Sequence, residues 1–243
     1  MILVCLLAAH LLADFYFQTD RMAGEKRKKA AWGFVHAGVV LVIFLAVCFM
    51  LYRPGPAVLA ALAIAGTHLI IDLSRSAWDR RHAKPTQRLA SFVTDQLLHS
   101  GVLAAVWLMA RPFAGGLGLR LACSPTVRGS VLILTLLLGL CKPTAILVRL
   151  LLDAVAGGKQ AAAQTETAPD AKAGTVIGIL ERIIIAVLVL CGQYGAVGLV
   201  LTAKSVARFK QLEDRDFAEK YLIGTLTSLT VALIAAVAVK HVI

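Results

Sequence analysis

Charge is scarce in this chain: 16% of its 243 residues are Asp, Glu, Lys or Arg, against about 25% in an ordinary soluble domain. With 59% hydrophobic residues and a mean hydropathy of +0.80, a water-soluble globule is excluded. Paired cysteines are missing as well. Cys5, Cys48, Cys123, Cys141 and Cys191 form no CxxC, so neither a thiolate metal ribbon nor a disulfide framework is expected, and they read as small core residues. There is no strict period-two alternation between turns, which removes an outer-membrane barrel. Absent too are a GxSxG elbow, a phosphate-binding P-loop and a dinucleotide fingerprint, leaving serine hydrolase, ATPase and dinucleotide enzymes without support. Acidic residues are few, 14 against 25 Lys and Arg, for a net charge of +11. The basic residues fall mainly in short loops between apolar runs, where membrane topology explains them, and no nucleic-acid partner is expected.

What is present is long apolar runs. An all-α, polytopic helical membrane protein with about seven transmembrane or re-entrant helices is expected, over roughly 2–18, 31–51, 57–77, 92–110, 129–152, 176–203 and 220–240. Residues 1–15 lack a basic leading region and carry His10 and Asp14, so they read as a retained first span. The stretch 156–174 is rich in Ala, Gly and Thr and is expected to be a flexible linker between an N-terminal unit, 1–155, and a C-terminal two-helix unit, 175–243.

Arg21, Lys26, Arg27, Lys28 and Lys29 follow the first span, and Arg75, Arg80, Arg81, Lys84 and Arg88 follow the third, whereas Arg53 alone lies between the second and third. Both basic loops are therefore expected in the cytoplasm of a bacterial inner-membrane protein, with the N-terminus periplasmic. Lys142-Pro143 interrupts the fifth span. A single crossing there is slightly preferred over a re-entrant pair of half-helices, although the latter would return the basic Lys204–Lys220 loop to the cytoplasm.

Three spans each hold a His and an Asp four residues apart: His10 and Asp14, His68 and Asp72, Asp95 and His99. That spacing stacks two side chains on one helix face. His36, in the second span, is a seventh polar candidate. At ~1.5 Å per residue, the three Asp and His36 lie ~5–10 Å inside the cytoplasmic edge and the other histidines ~10–16 Å inside. One leaflet thus receives them all. An isolated Asp at membrane depth costs ~2.5–3.5 kcal/mol, and no Lys or Arg is expected at that level. A divalent ion compensates such carboxylates, and neutral imidazole with carboxylate suits zinc foremost, with manganese, iron or magnesium as alternatives. The metal ligands expected are His10, Asp14, His36, His68, Asp72, Asp95 and His99, enough for one or two ions, with Asp14, Asp72 or Asp95 acting as general base toward an attacking water. Gln18 and Gln96 are candidates to hydrogen-bond the ligands. Arg75, Arg80, Arg81 and Lys84, at the pocket mouth, are weaker candidates to hold a substrate phosphate, their plainer role being contact with anionic lipid.

With His10-x3-Asp14-Phe15-x2-Gln18, Lys26, His68-x3-Asp72 and Asp95-Gln96-x2-His99 in place, the first ~110 residues resemble a bacterial membrane family, domain of unknown function 3307. The carboxyl half, with Gly178-Ile179-Leu180-Glu181-Arg182, the run Ala203 to Phe209 and Tyr221-Leu222-Ile223-Gly224, looks like the longer members. That family name implies no activity. A looser likeness is to membrane-bound metal-dependent hydrolases, which also place His and Asp on transmembrane helices.

The function expected is a membrane-embedded metal-dependent hydrolase, acting from the cytoplasmic leaflet on a lipid or lipid-linked phosphate. The alternatives are a proton- or cation-coupled transporter or channel subunit using the same residues as a relay, and a scaffold in which each Asp and its neighbouring His form a structural clamp. In the C-terminal half Glu181 and Arg182 are expected to compensate each other, Lys204 to Lys210 to form a basic helix end, and Asp214 or Asp216 to cap the last helix. Glu181 is not counted among the metal ligands.

Overall fold

The computed structural model describes residues 1–19, 22, 30–116, 118–119, 124–156 and 168–243. These contain α1 (Ile2–Leu11), which runs into a π-helical turn, Leu12–Tyr16. Then come α2 (Ala30–Leu51), α3 (Pro54–Arg81) and α4 (Pro85–Ala110), which ends in a 3-10 turn. α5 (Pro125–Leu140) and α6 (Lys142–Val155) follow. The chain closes with α7 (Ala168–Leu190), α8 (Tyr194–Ala207), a 3-10 turn and α9 (Arg215–Val242). No strand occurs among the described residues.

Among the described residues, five segments are long and apolar enough to cross a bilayer: Ala31–Leu51, Pro54–Arg81, Pro85–Phe113, Pro125–Val155 and Arg215–Val242. Several such helices fit a multi-pass membrane protein. The expected count of about seven is not confirmed among the described residues. Ile2–Tyr16 is a shorter apolar helix, and the expected span 176–203 is two helices, parted at Cys191-Gly192-Gln193, where Gly192 adopts φ +77°. The expected linker 156–174 lies partly outside the described residues, as does most of the first basic loop. From Ala168 onward that linker is helical.

Chain contacts divide the molecule into two compact units, one of Met1–Ala83 with Gln87–Leu138 and one of Gly139–Ile243 with Lys84–Thr86. The division falls before α6, which sequence composition alone groups with the first half.

In the first unit the core follows regular stripes. Val40, Phe44 and Cys48 recur every fourth residue on α2, and Ala57, Ala60, Ala61, Ile64 and Ala65 form the facing stripe of α3. Small alanines let two helices approach closely, which is how helices associate without a hydrophobic driving force in lipid. The opposite faces carry Leu59, Leu62, Ile70, Leu97 and Met109, all exposed, as lipid-facing residues are. The α2 end is tied down by the segment after α4: Gly115 and Gly116 both donate to the Leu51 carbonyl (3.2 Å each) and Gly118 to that of Met50 (2.9 Å). Only glycine fits at 116, because a Cβ there would stand 2.5 Å from the Met50 carbonyl oxygen. Tyr16 donates to the Leu138 carbonyl at 2.9 Å, joining the π turn to α5.

The second unit contains a helical hairpin. Lys204 on α8 meets Glu181 on α7 at 2.6 Å, so α8 folds back along α7. Lys240, near the end of α9, donates to the Val189 carbonyl (3.1 Å) and to Tyr194 (3.2 Å) at the hairpin tip. Arg182 is buried and donates to the Leu140 carbonyl (2.6 Å), the Cys141 carbonyl (3.4 Å) and Ser228 (3.1 Å). These bonds serve the break between α5 and α6. Pro143 has no N–H for the Gly139 carbonyl, and the Thr144 hydroxyl takes its place at 2.8 Å. Glu181 and Arg182 thus make their hydrogen bonds to different partners, since consecutive helical residues point about 100° apart. Asp214 caps α9, accepting from the Phe217 N–H at 2.8 Å.

A buried histidine and aspartate cluster as candidate metal centre

The core stripes of the first unit continue into polar residues. Below Val40 the α2 stripe carries His36; beyond Ile64 and Ala65 the α3 stripe carries His68, Asp72 and Ser76; on α4, Phe92, Asp95, His99 and Leu103 share the buried face. α1 contributes His10, and its π turn contributes Asp14. In that turn the Phe17 N–H reaches back five residues to the Leu12 carbonyl (2.9 Å). Such turns recur at functional sites because they re-aim side chains within a helix. All seven predicted His and Asp candidates are buried, none more than 8% exposed.

The side chains meet across helices. His36 Nε2 lies 3.3 Å from Asp14 Oδ1, 3.2 Å from His68 Nε2 and 3.8 Å from Asp72 Oδ2. His68 Nε2 lies 3.8 Å from Asp14 Oδ1 and 3.6 Å from Asp72 Oδ2. A tetrahedral ion with bonds of ~2.0–2.1 Å sets its ligand atoms ~3.3–3.4 Å apart, so these separations need little adjustment to hold one. Two sets of three ligand atoms fall within 4.8 Å of one another: Asp14, His36 and His68, and His68, Asp72 and His99.

Unsatisfied nitrogen points to the same chemistry. His99 Nδ1 lies 2.9 Å from its own helix's Asp95 carbonyl. Donating there fixes the tautomer and leaves Nε2 with a lone pair, and that Nε2 is buried with no hydrogen-bond partner. A metal-ligating histidine is held in this way, by a carbonyl on its other nitrogen. His36 Nδ1 is likewise buried and unpartnered, so either tautomer of His36 leaves one ring nitrogen unsatisfied by protein groups.

Asp95 and His10 stand at the border of the cluster. Asp95 Oδ2 accepts from Arg75 Nη1 at 2.8 Å and from Gln96 Nε2 at 3.0 Å. Gln96 Nε2 also reaches Asp14 Oδ2 (3.3 Å), and its Oε1 faces His10 Nε2 (3.3 Å). Gln96 thus bridges two of the candidate carboxylates and His10, and Gln18 is half-buried after the π turn. The expectation that no cation reaches this depth is corrected by Arg75. Its side chain, 25% exposed, turns inward to Asp95 instead of waiting for a phosphate at the pocket mouth. The cause is helix length: α3 runs through to Arg81, so Arg75 sits one turn after Asp72 on the same face. Arg80, Arg81 and Lys84 are exposed.

Asp79 was missed by the sequence reading. It accepts from Ser91 at 2.7 Å and lies 3.8 Å from Arg75 Nε. Its spacing, four residues after Arg75 and seven after Asp72, was the available signal.

Fold and site together define a multi-pass helical membrane type of protein with a buried His and Asp cluster. Residues 2–118 match the family described as "Protein of unknown function (DUF3307)", which supports placing that segment in the family. The matched segment contains all seven candidates, and residues 119–243 lie outside it. Neither a curated protein nor a solved structure matches the chain.

Proposed function

We propose that the protein is a membrane-embedded, metal-dependent hydrolase of the bacterial inner membrane. The observation that carries this reading is the convergence of Asp14, His36, His68, Asp72 and His99 from four helices onto overlapping sets of ligand atoms, with a buried lone pair on His99 Nε2. Three carboxylates are buried in the cluster, and Arg75 pairs with one of them, Asp95. Burying them is costly without a further positive charge, and a divalent ion supplies it. Zinc fits the imidazole and carboxylate donors best, with manganese or iron next.

The ion would activate a water as nucleophile and polarise the bond attacked, while a carboxylate takes the water's proton. The substrate would be amphipathic, a lipid or lipid-linked phosphate approaching from the cytoplasmic leaflet, with the exposed Arg80 and Arg81 at the end of α3 as its phosphate contacts. Purified protein in mild detergent should carry a transition metal and release phosphate from a lipid phosphomonoester in mixed micelles. Less than ~0.2 equivalents of any such metal would overturn the reading.

A relay reading draws on the row of ring contacts, with centroids 5.2 Å apart for His36 and His68, 4.2 Å for His68 and His99, and 5.0 Å for His99 and His10. A relay must continue to the opposite face. Beyond these rings the buried stripes turn apolar, through Val40, Phe44, Ile64, Ala61 and Leu103, which favours the enzyme.

A further inference from the structure

α8 presents two unlike faces. Lys204 meets Glu181 on α7 at 2.6 Å, and the Ser205 hydroxyl lies 3.5 Å from that of Tyr221 on α9, so this side is packed on protein. Opposite Lys204, Leu199, Thr202 and Val206 form a helical stripe that Phe209 extends. Leu199, Val206 and Phe209 are 69–70% exposed. At the end of α8, Leu201, Thr202, Ser205, Val206, Phe209 and Leu212 line an open, mainly apolar groove of about 330 Å³. Clefts that hold small molecules measure ~300–1,000 Å³.

Cations adjoin this groove. Arg208 and Lys210 flank Phe209 in the chain, and neither has a side-chain hydrogen bond or ion pair among the described residues. The neighbouring cations are committed, Lys204 to Glu181 and Arg215 to Glu219 at 3.1 Å. Of the acids in the same stretch, Asp214 caps α9, whereas Glu213 and Asp216 are exposed and bond to neither Arg208 nor Lys210. Two uncommitted cations beside an apolar groove complement an anion that carries a hydrocarbon chain.

We propose that the groove at the end of α8 binds an anionic phospholipid, with an acyl chain along Thr202, Val206 and Phe209 and the headgroup phosphate between Arg208 and Lys210. A chain that crosses the bilayer several times meets phospholipid at every exposed apolar face, and what distinguishes this one is the pair of free cations at its edge. A zwitterionic lipid brings no net charge to them, whereas an anionic one does. The site stands apart from the histidine and aspartate cluster, which belongs to the other unit, and does not depend on a metal there.

The test uses the full chain in mild detergent, with phosphatidylglycerol and phosphatidylcholine of identical acyl chains as probes and bound lipid counted by native mass spectrometry. Phosphatidylglycerol should bind at least about fivefold more tightly than phosphatidylcholine. Arg208→Gln combined with Lys210→Gln should abolish that preference, and Val206→Trp, which fills the groove and keeps both cations, should weaken the binding of both lipids. A phosphatidylglycerol with a photoactivatable diazirine in its acyl chain should label the wild type between residues 201 and 212, a readout that needs no variant to fold. Equal binding of the two lipids by the wild type, a preference that survives loss of both cations, or labelling confined to other segments overturns the site. Lipid binding unchanged by Val206→Trp also overturns it, and a wild-type dimer lost in that variant would make the face a contact between two copies instead.

Discussion

Arg75 shows how one long side chain changes the electrostatics of a site. Counted from the apolar run it belongs to a loop, yet its guanidinium reaches Asp95 at 2.8 Å while Asp95 itself is 2% exposed. Removing one partner of a buried pair leaves the other charge uncompensated, at about 3–5 kcal/mol. Because Arg75 keeps 25% of its side chain exposed, solvent screening should trim this, and Arg75→Ala should cost about 2–3 kcal/mol. Adding Asp95→Asn should restore part of that loss, a coupling read from thermal unfolding of the four species in detergent. If Arg75 only waits for a substrate phosphate, Arg75→Ala leaves the unfolding midpoint where it was.

At the scale of elements, short irregular segments aim the helices. The π turn at Leu12–Tyr16 directs Asp14 into the cluster, and the break at Cys141 is supported by Arg182 and Thr144. The hairpin tip depends on Gly192, whose φ of +77° is one that side-chain-bearing residues adopt at a cost. Gly192→Ala should therefore destabilise the protein by about 1–2 kcal/mol. The added Cβ would also come within 3.3 Å of Lys240 Nζ, displacing the ammonium that donates to Val189 and Tyr194. An unfolding midpoint equal to the wild type's would show that the tip does not need the left-handed residue.

Over the whole molecule the hairpin bears on membrane topology. Because Lys204 meets Glu181, the basic segment from Lys204 to Lys220 lies at the same end of the second unit as the start of α7. If the N-terminus is periplasmic and residues 125–155 cross once, that end is predicted to be cytoplasmic, in keeping with the positive-inside rule. On that topology the basic Lys204–Lys220 loop no longer requires a re-entrant fifth segment. Single cysteines at Thr167 and Lys210, in a background without the native cysteines, should both resist an impermeant thiol reagent applied from the periplasm. Labelling of one position but not the other would contradict the hairpin, and labelling of both would place that end outside.

The amino-acid order alone determined the helical class of structure and which polar residues are buried together. Apolar run length announces helices 2 to 4 and the last helix, since a bilayer demands a nearly unbroken hydrophobic stretch. The i, i+4 spacing of His10 and Asp14, His68 and Asp72, and Asp95 and His99, set at one depth, identifies the seven residues that the fold gathers. The partners were decided by tertiary structure. Periodicity reports which face a residue occupies and not which neighbour it meets, so Asp14 to His36, Asp95 to Arg75 and Glu181 to Lys204 are visible only once helices pack. The reversal at Gly192 was hidden for a related reason: hydropathy stays high through a tight turn when the turn is made of Cys191 and a glycine, and backbone dihedral angles, not polarity, break the helix there.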